Sequence, residues 1–166
     1  MKNLLLFALS SCAFLQGMYS QVPTAMPPAA DEFYKISMPL LRPPVKKIIL
    51  QIGEAIKHSK INADSLSEAL RKNTVLKDMS KNDIEGVAVL ILVQASRDAD
   101  ADLKKMVLEI SRGNDQKSTI VKGDINDNQR SKLRFIMDRK SGMAEEITFA
   151  MKKISGRQQD IINNLK

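Results

Sequence analysis

Apolar residues recur at helical spacing from position 45 onward, and no proline interrupts them. The first such pattern directly follows Pro43 and Pro44, and proline suits the first helical turn because the N–H it lacks has no intrahelical acceptor there. Gly53 lies inside the pattern and weakens it slightly. The spacing predicts a first helix with an apolar stripe formed by Val45, Ile48, Ile49, Ile52, Ala55 and Ile56.

A short second helix is predicted over the residues that follow. Ser65 and Glu68 have the spacing of a capping box, in which two side chains bond backbone N–H groups of the first turn. Asn73 and Thr74 mark its expected end.

A long third helix is predicted from Ser80, its expected cap, with Asp83 three residues on, to about Arg112. Gly113 is the expected left-handed stop. The run 87–93 is apolar on every side, so it should form the centre of the core. Periodicity alone would also allow a buried strand there, but the helical flanks and the absence of turn residues favour a helix.

Residues 113–128 are polar and predict a loop, with a short extended piece possible around Ile120. A heptad-like pattern then runs from about Asp127 to Leu165, and a helix of that length would be about 57 Å long. The pattern consists of two series of positions spaced seven residues apart. Lys140 and Gln158 interrupt these series, and Gly142 and Gly156 weaken the helical pattern. The predicted fold class is therefore all-α: an elongated helical bundle with a long C-terminal coiled-coil-like helix.

The apolar heptad positions are candidate partner contacts, because a helix longer than a compact domain needs can pair with another chain. They are Leu133, Met137, Ala144, Ile147, Met151, Ile154, Ile161 and Leu165.

The segment 21–44 holds all six prolines of the chain and predicts an extended arm or linker ahead of a helical domain over 45–166. Its aromatic and aliphatic residues, among them Phe33 and Tyr34, are too apolar for a plain spacer. They favour packing of the segment onto the domain, with a partner-docking arm as the alternative.

Residues 1–20 have the form of a secretory signal peptide, with Lys2, an apolar run from Leu4 to Leu15 and a short polar tail. The run is too short to span a bilayer, so an exported periplasmic or secreted protein is predicted. Cys12, the only cysteine, stands in a Leu-small-small-Cys pattern that leaves lipid anchoring as an alternative. Cleavage after it would leave a chain with no thiol chemistry.

Catalytic chemistry has little support in the sequence. His58 is the only histidine, and neither a glycine-rich phosphate loop nor a nucleophile elbow is present. We therefore predict a protein that is not an enzyme, has no cofactor and does not act on a small-molecule substrate.

Two acidic patterns partly match a calcium loop. Asp98, Asp100, Asp102 and Glu109 have the carboxylate spacing, but Leu103 occupies the glycine position and an Asp100–Lys104 helical pair is the simpler interpretation. For the stretch 124–128, Gln129 occupies the glycine position and Phe135 replaces the closing glutamate, so no metal site is predicted.

The chain carries a net charge of +7, with its basic residues concentrated in 45–79 and 113–166. The scarcity of aromatic side chains disfavours nucleic acid as a partner. Two functions remain. The first is an exported interaction or structural protein of the bacterial envelope or a secretion assembly, which acts through helix pairing with a protein partner or as a homo-oligomer. The second is a basic, chaperone-like binding module for acidic clients or anionic envelope surfaces.

Overall fold

The computed structural model describes residues 26–115 and 127–164. Five α-helices lie in these ranges: α1 (Pro28–Leu40), α2 (Pro43–Ile56), α3 (Ala63–Arg71), α4 (Lys81–Asp115) and α5 (Asp127–Asn164). They contain no strand, so the predicted all-α bundle with a long C-terminal helix is confirmed. None of these helices is long and apolar enough to cross a membrane. The predicted signal peptide and Cys12 lie outside the described residues.

The Pro-rich segment differs from the prediction of an extended arm, because α1 is a helix that packs onto the bundle. Pro28 occupies its first turn, where no N–H is needed. Pro39 falls in its last turn and has no N–H to donate to the carbonyl of Lys35, so one helical hydrogen bond is missing just before the helix ends. Ala30 and Tyr34, one turn apart, are buried in the core. The expectation that apolar residues of this segment pack onto the domain is confirmed for Phe33, Tyr34, Met38 and Leu41, whereas Ile36 and Leu40 are 60% and 80% exposed.

The first predicted helix is confirmed as α2, but the predicted capping box of the next helix is wrong. The N-cap of α3 is Asn62, whose side chain accepts hydrogen bonds from the backbone N–H groups of Asp64 and Ser65 at 2.8 and 3.3 Å. Ser65 therefore lies inside the first turn rather than before it. A carboxylate oxygen of Glu146 on α5 accepts from the N–H of Ala63 at 3.1 Å and completes this helix start.

The predicted start of the long third helix is confirmed at α4. The N–H of Ser80 donates to a carboxylate oxygen of Asp83, and the N–H of Asp83 donates to the Ser80 hydroxyl, which is a reciprocal capping box. The helix continues to Asp115, so Gly113 does not stop it. Most of the predicted loop after it lies outside the described ranges.

The core is centred on residues 87–93 of α4, all of which are buried, as predicted. Helices α1, α2, α3 and α5 surround this run. Helix α5 packs along α4, where Ala144 and Ile147 are buried and Lys140 pairs with Asp100. The expected Asp100–Lys104 pair is therefore replaced by a contact between helices.

Candidate partner-binding cleft

Helices α4 and α5 extend beyond the end of the helix that packs beside them. Helix α2 ends at Ile56, and its C-terminal contact with α4 is made at Asp102. From there the two long helices form an open end: no side chain in 101–110 of α4 or in 127–135 of α5 is fully buried. Apolar side chains nevertheless continue along this open end, where Val107 is 48% and Leu108 is 56% exposed.

A cleft of about 400 Å³ lies at this open end, and its lining is mostly apolar. Phe135 is 45% exposed, although aromatic side chains are normally well buried. The residues that line the cleft are His58, Met106, Ser131, Lys132, Phe135 and Ile136.

An ion-pair cluster fixes one side of the cleft. A carboxylate oxygen of Asp102 lies 2.8 Å from the Lys57 ammonium and 3.1 Å from Nε2 of His58. The hydrogen bond from Lys57 holds the pKa of Asp102 below its ordinary value, and the same bond, with help from Glu54, raises the pKa of Lys57. The cluster holds the His58 ring at 6.3 Å from the ring centre of Phe135.

Arg139 lies one turn after Phe135 and stacks its guanidinium over that ring, at 5.1 Å from the ring centre. Its Nε is buried and has no hydrogen-bond partner within the described ranges. Arg139 also lines a second groove, of about 720 Å³, between the connection 59–62 and residues 138–146 of α5. A buried donor without a partner is uncommon in folded proteins.

The surroundings of the cleft are basic. Residues 103–110 and 127–139 together hold three acidic residues and six basic ones. None of the six has an ion-pair partner in the part of the chain that the structure describes. The basic residues are Lys104, Lys105, Arg130, Lys132, Arg134 and Arg139.

The middle of the predicted heptad seam serves the core of this chain. Ala144 and Ile147 are fully buried, and Met151 and Ile154 are half-buried and pack on the same core. These four positions are therefore covered by other helices of the protein itself.

The ends of the seam are placed differently. Leu133 and Met137 are half-buried near the open end. Leu165 lies outside the described residues, as does the side chain of Ile161. The structure thus places the middle of the predicted contact set in the core of this chain. The exposed apolar surface is instead the cleft at the open end.

The acidic residues that resemble a calcium loop lie on the continuous helix α4, and its three aspartates contact different side chains. Asp98 accepts from Gln94 at 2.8 Å, whereas Asp100 and Asp102 pair with basic side chains of other helices. Within the described ranges no group of three or more His, Cys, Asp or Glu residues is placed to hold a metal.

The sequence patterns did not identify the cleft residues Met106 and Phe135, nor Arg139 beside Phe135, and they gave His58 no role. The sequence did contain a signal for this surface, because the predicted third and last helices are far longer than the predicted first helix. Long helices beside a short one must leave an end uncovered, and exposed apolar residues there mark a candidate surface.

Comparison with known proteins adds no relative: no protein-family model, curated protein or solved structure matches this chain. The molecule is described by its fold class alone, an all-helical bundle with a long C-terminal helix.

Proposed function

We propose that this protein is an exported, non-enzymatic interaction protein of the bacterial envelope or of a secretion assembly, and that it acts through helix–helix pairing. The observation that carries the proposal is the apolar cleft between α4 and α5, which Phe135 lines while 45% exposed. An isolated exposed apolar residue is ordinary, but a concave apolar surface between two helices is suited to a third helix.

The assignment to the envelope depends on residues 1–20, whose pattern is that of a secretory signal peptide. Fractionation of cells that produce the protein tests this part. Recovery in the cytoplasm, with the first residues intact, would contradict it.

Site-specific photo-crosslinking in the native cell tests the pairing. A photoreactive side chain in place of Ser131, which is exposed and lines the cleft, should give a discrete adduct of higher mass. The matched control is Val75, an exposed residue on the α3–α4 connection, where no adduct is expected. Absence of any adduct at Ser131, or equal adducts at both positions, would contradict the proposed function.

A further inference from the structure

We infer that the occupant of the cleft is an acidic amphipathic helix of another protein, and this inference rests on the proposed function. Its apolar face would seat against Met106, Phe135 and Ile136, and its carboxylates would face the basic surroundings and Arg139.

The shape of the surface favours a helix over a membrane. The apolar side chains line a shallow cleft between two helices, and ridges of a third helix pack into such a groove. A bilayer surface would supply no such ridge of side chains. The helix-in-groove mode also explains how a two-helix end can complete an apolar core.

The positive charge of the surface favours an acidic partner. Six basic residues against three acidic ones surround the cleft, so a second copy of this open end would bring like charges together. An acidic helix would instead gain attraction, and its carboxylates would supply acceptors for unpaired donors.

Arg139 gives the inference its most specific contact. The ring of Phe135 orients the guanidinium from one face, and the Nε atom has no hydrogen-bond partner within the described ranges. A planar guanidinium held in this way is suited to paired hydrogen bonds with a carboxylate. The same side chain therefore joins the apolar and the electrostatic parts of the site.

The test uses the purified protein and two synthetic helical peptides, both with leucine at the core heptad positions. One peptide carries glutamate at the flanking positions and the other carries lysine there. Fluorescence anisotropy should show micromolar binding of the acidic peptide, and the affinity should fall by at least about tenfold between low and high salt because salt screens the charges. The basic peptide should bind at least about tenfold more weakly.

Two pairs of variants locate the binding. Phe135→Ala should weaken binding of the acidic peptide at least about tenfold, since exposed aromatic anchors dominate such interfaces. Phe149→Ala removes an equally exposed phenylalanine from the same helix outside the cleft and should leave binding unchanged. Arg139→Gln should weaken binding, whereas Arg71→Gln on α3 should not. Circular dichroism checks that each variant is folded.

Several outcomes would overturn the inference. Equal binding of both peptides would remove the charge argument, and equal loss with Phe135→Ala and Phe149→Ala would place binding elsewhere. Binding to phosphatidylglycerol vesicles without binding to the acidic peptide would indicate a lipid surface. Sedimentation showing a dimer that Phe135→Ala dissociates would indicate a second copy. If a dimer forms, the Ser131 adduct would appear at twice the mass of the chain, so the proposed function would stand while the acidic partner fails.

Discussion

A Cβ atom on Gly53 would lie only 2.6 Å from Cγ and 2.9 Å from Cβ of Gln94, so α2 and α4 pack too closely at this position for any side chain larger than hydrogen. Gly53, which weakens the helical pattern of α2, is therefore required for the packing of α2 against α4. Gln94 in turn accepts a hydrogen bond from the Tyr34 hydroxyl of α1, and the close approach helps to fix the position of its side chain.

Gly53→Ala should destabilise the protein by about 1–3 kcal/mol, because the overlap reaches Cβ of Gln94 and a rotamer change cannot relieve it. The free energy of unfolding in urea measures the effect. Gly142→Ala is the matched control, since a Cβ there meets nothing within 4 Å. It should be stabilising by about 1 kcal/mol through helix propensity. Equal effects of the two substitutions would contradict the packing argument.

Asn62→Ala should cost about 1 kcal/mol, because it removes the acceptor for two backbone N–H groups at the start of α3. Ser65→Ala should change the free energy of unfolding by less than about 0.5 kcal/mol, since Ser65 is not the cap. Urea denaturation of both variants distinguishes the observed cap from the predicted one. A larger loss of stability for Ser65→Ala than for Asn62→Ala would show that Ser65 caps the helix, as the sequence predicted.

Tyr34→Phe should cost about 1 kcal/mol at neutral pH, because it deletes the hydrogen bond to Gln94 and keeps the ring that Arg97 covers at 4.1 Å. Burial raises the pKa of Tyr34 above its ordinary value of 10.0. A raised pKa means that the folded state holds its proton more tightly, so this contribution is complete below pH 10.0 and is lost as pH rises through the folded pKa.

The stability advantage of the wild type over Tyr34→Phe should therefore shrink above pH 10.0. Urea denaturation at neutral and alkaline pH measures this gap. A constant gap would show that Tyr34 ionises as readily in the folded protein as in the unfolded chain, and a gap that widens with pH would show that it ionises more readily when folded.

The Asp102 cluster should make stability depend on acid pH. The hydrogen bond from Lys57 lowers the pKa of Asp102 below 3.8, so its contribution is present above that pH and is lost as pH falls through the folded pKa. Asp102→Asn should therefore lose less stability than the wild type on acidification. Asp78→Asn is the control, because no ion pair of Asp78 is formed within the described ranges, and its acid dependence should match that of the wild type. Carbon-detected NMR titration of Asp102 gives the pKa directly.

Local patterns in the sequence were sufficient to predict the elements that are fully buried or that are stabilised by contacts within one turn. The run 87–93 is apolar on all sides, and only a surrounded helix accommodates it. The Ser80–Asp83 pair forms its cap within one turn, so its spacing alone predicts it. The long last helix follows in the same way from its continuous periodicity.

The sequence was insufficient where contacts between helices decide the outcome. Pro28 was counted with the other prolines as a sign of an extended chain, although its position suits a helix start as well as that of Pro43 does. The roles of Gly53 and of the cleft residues depend on which helices are adjacent and where each ends. A periodicity of seven shows that α5 has an apolar face, but it cannot show whether that face is covered by this chain or by another.

The position of α1 also limits how a lipid anchor could hold this protein. If Cys12 were lipidated, only the residues between it and Met26 would separate the bilayer from the folded bundle, because α1 packs on the core. Fully extended, that stretch reaches about 50 Å. A tethered form would thus be confined to a thin layer above the membrane surface and could meet only partners within that height.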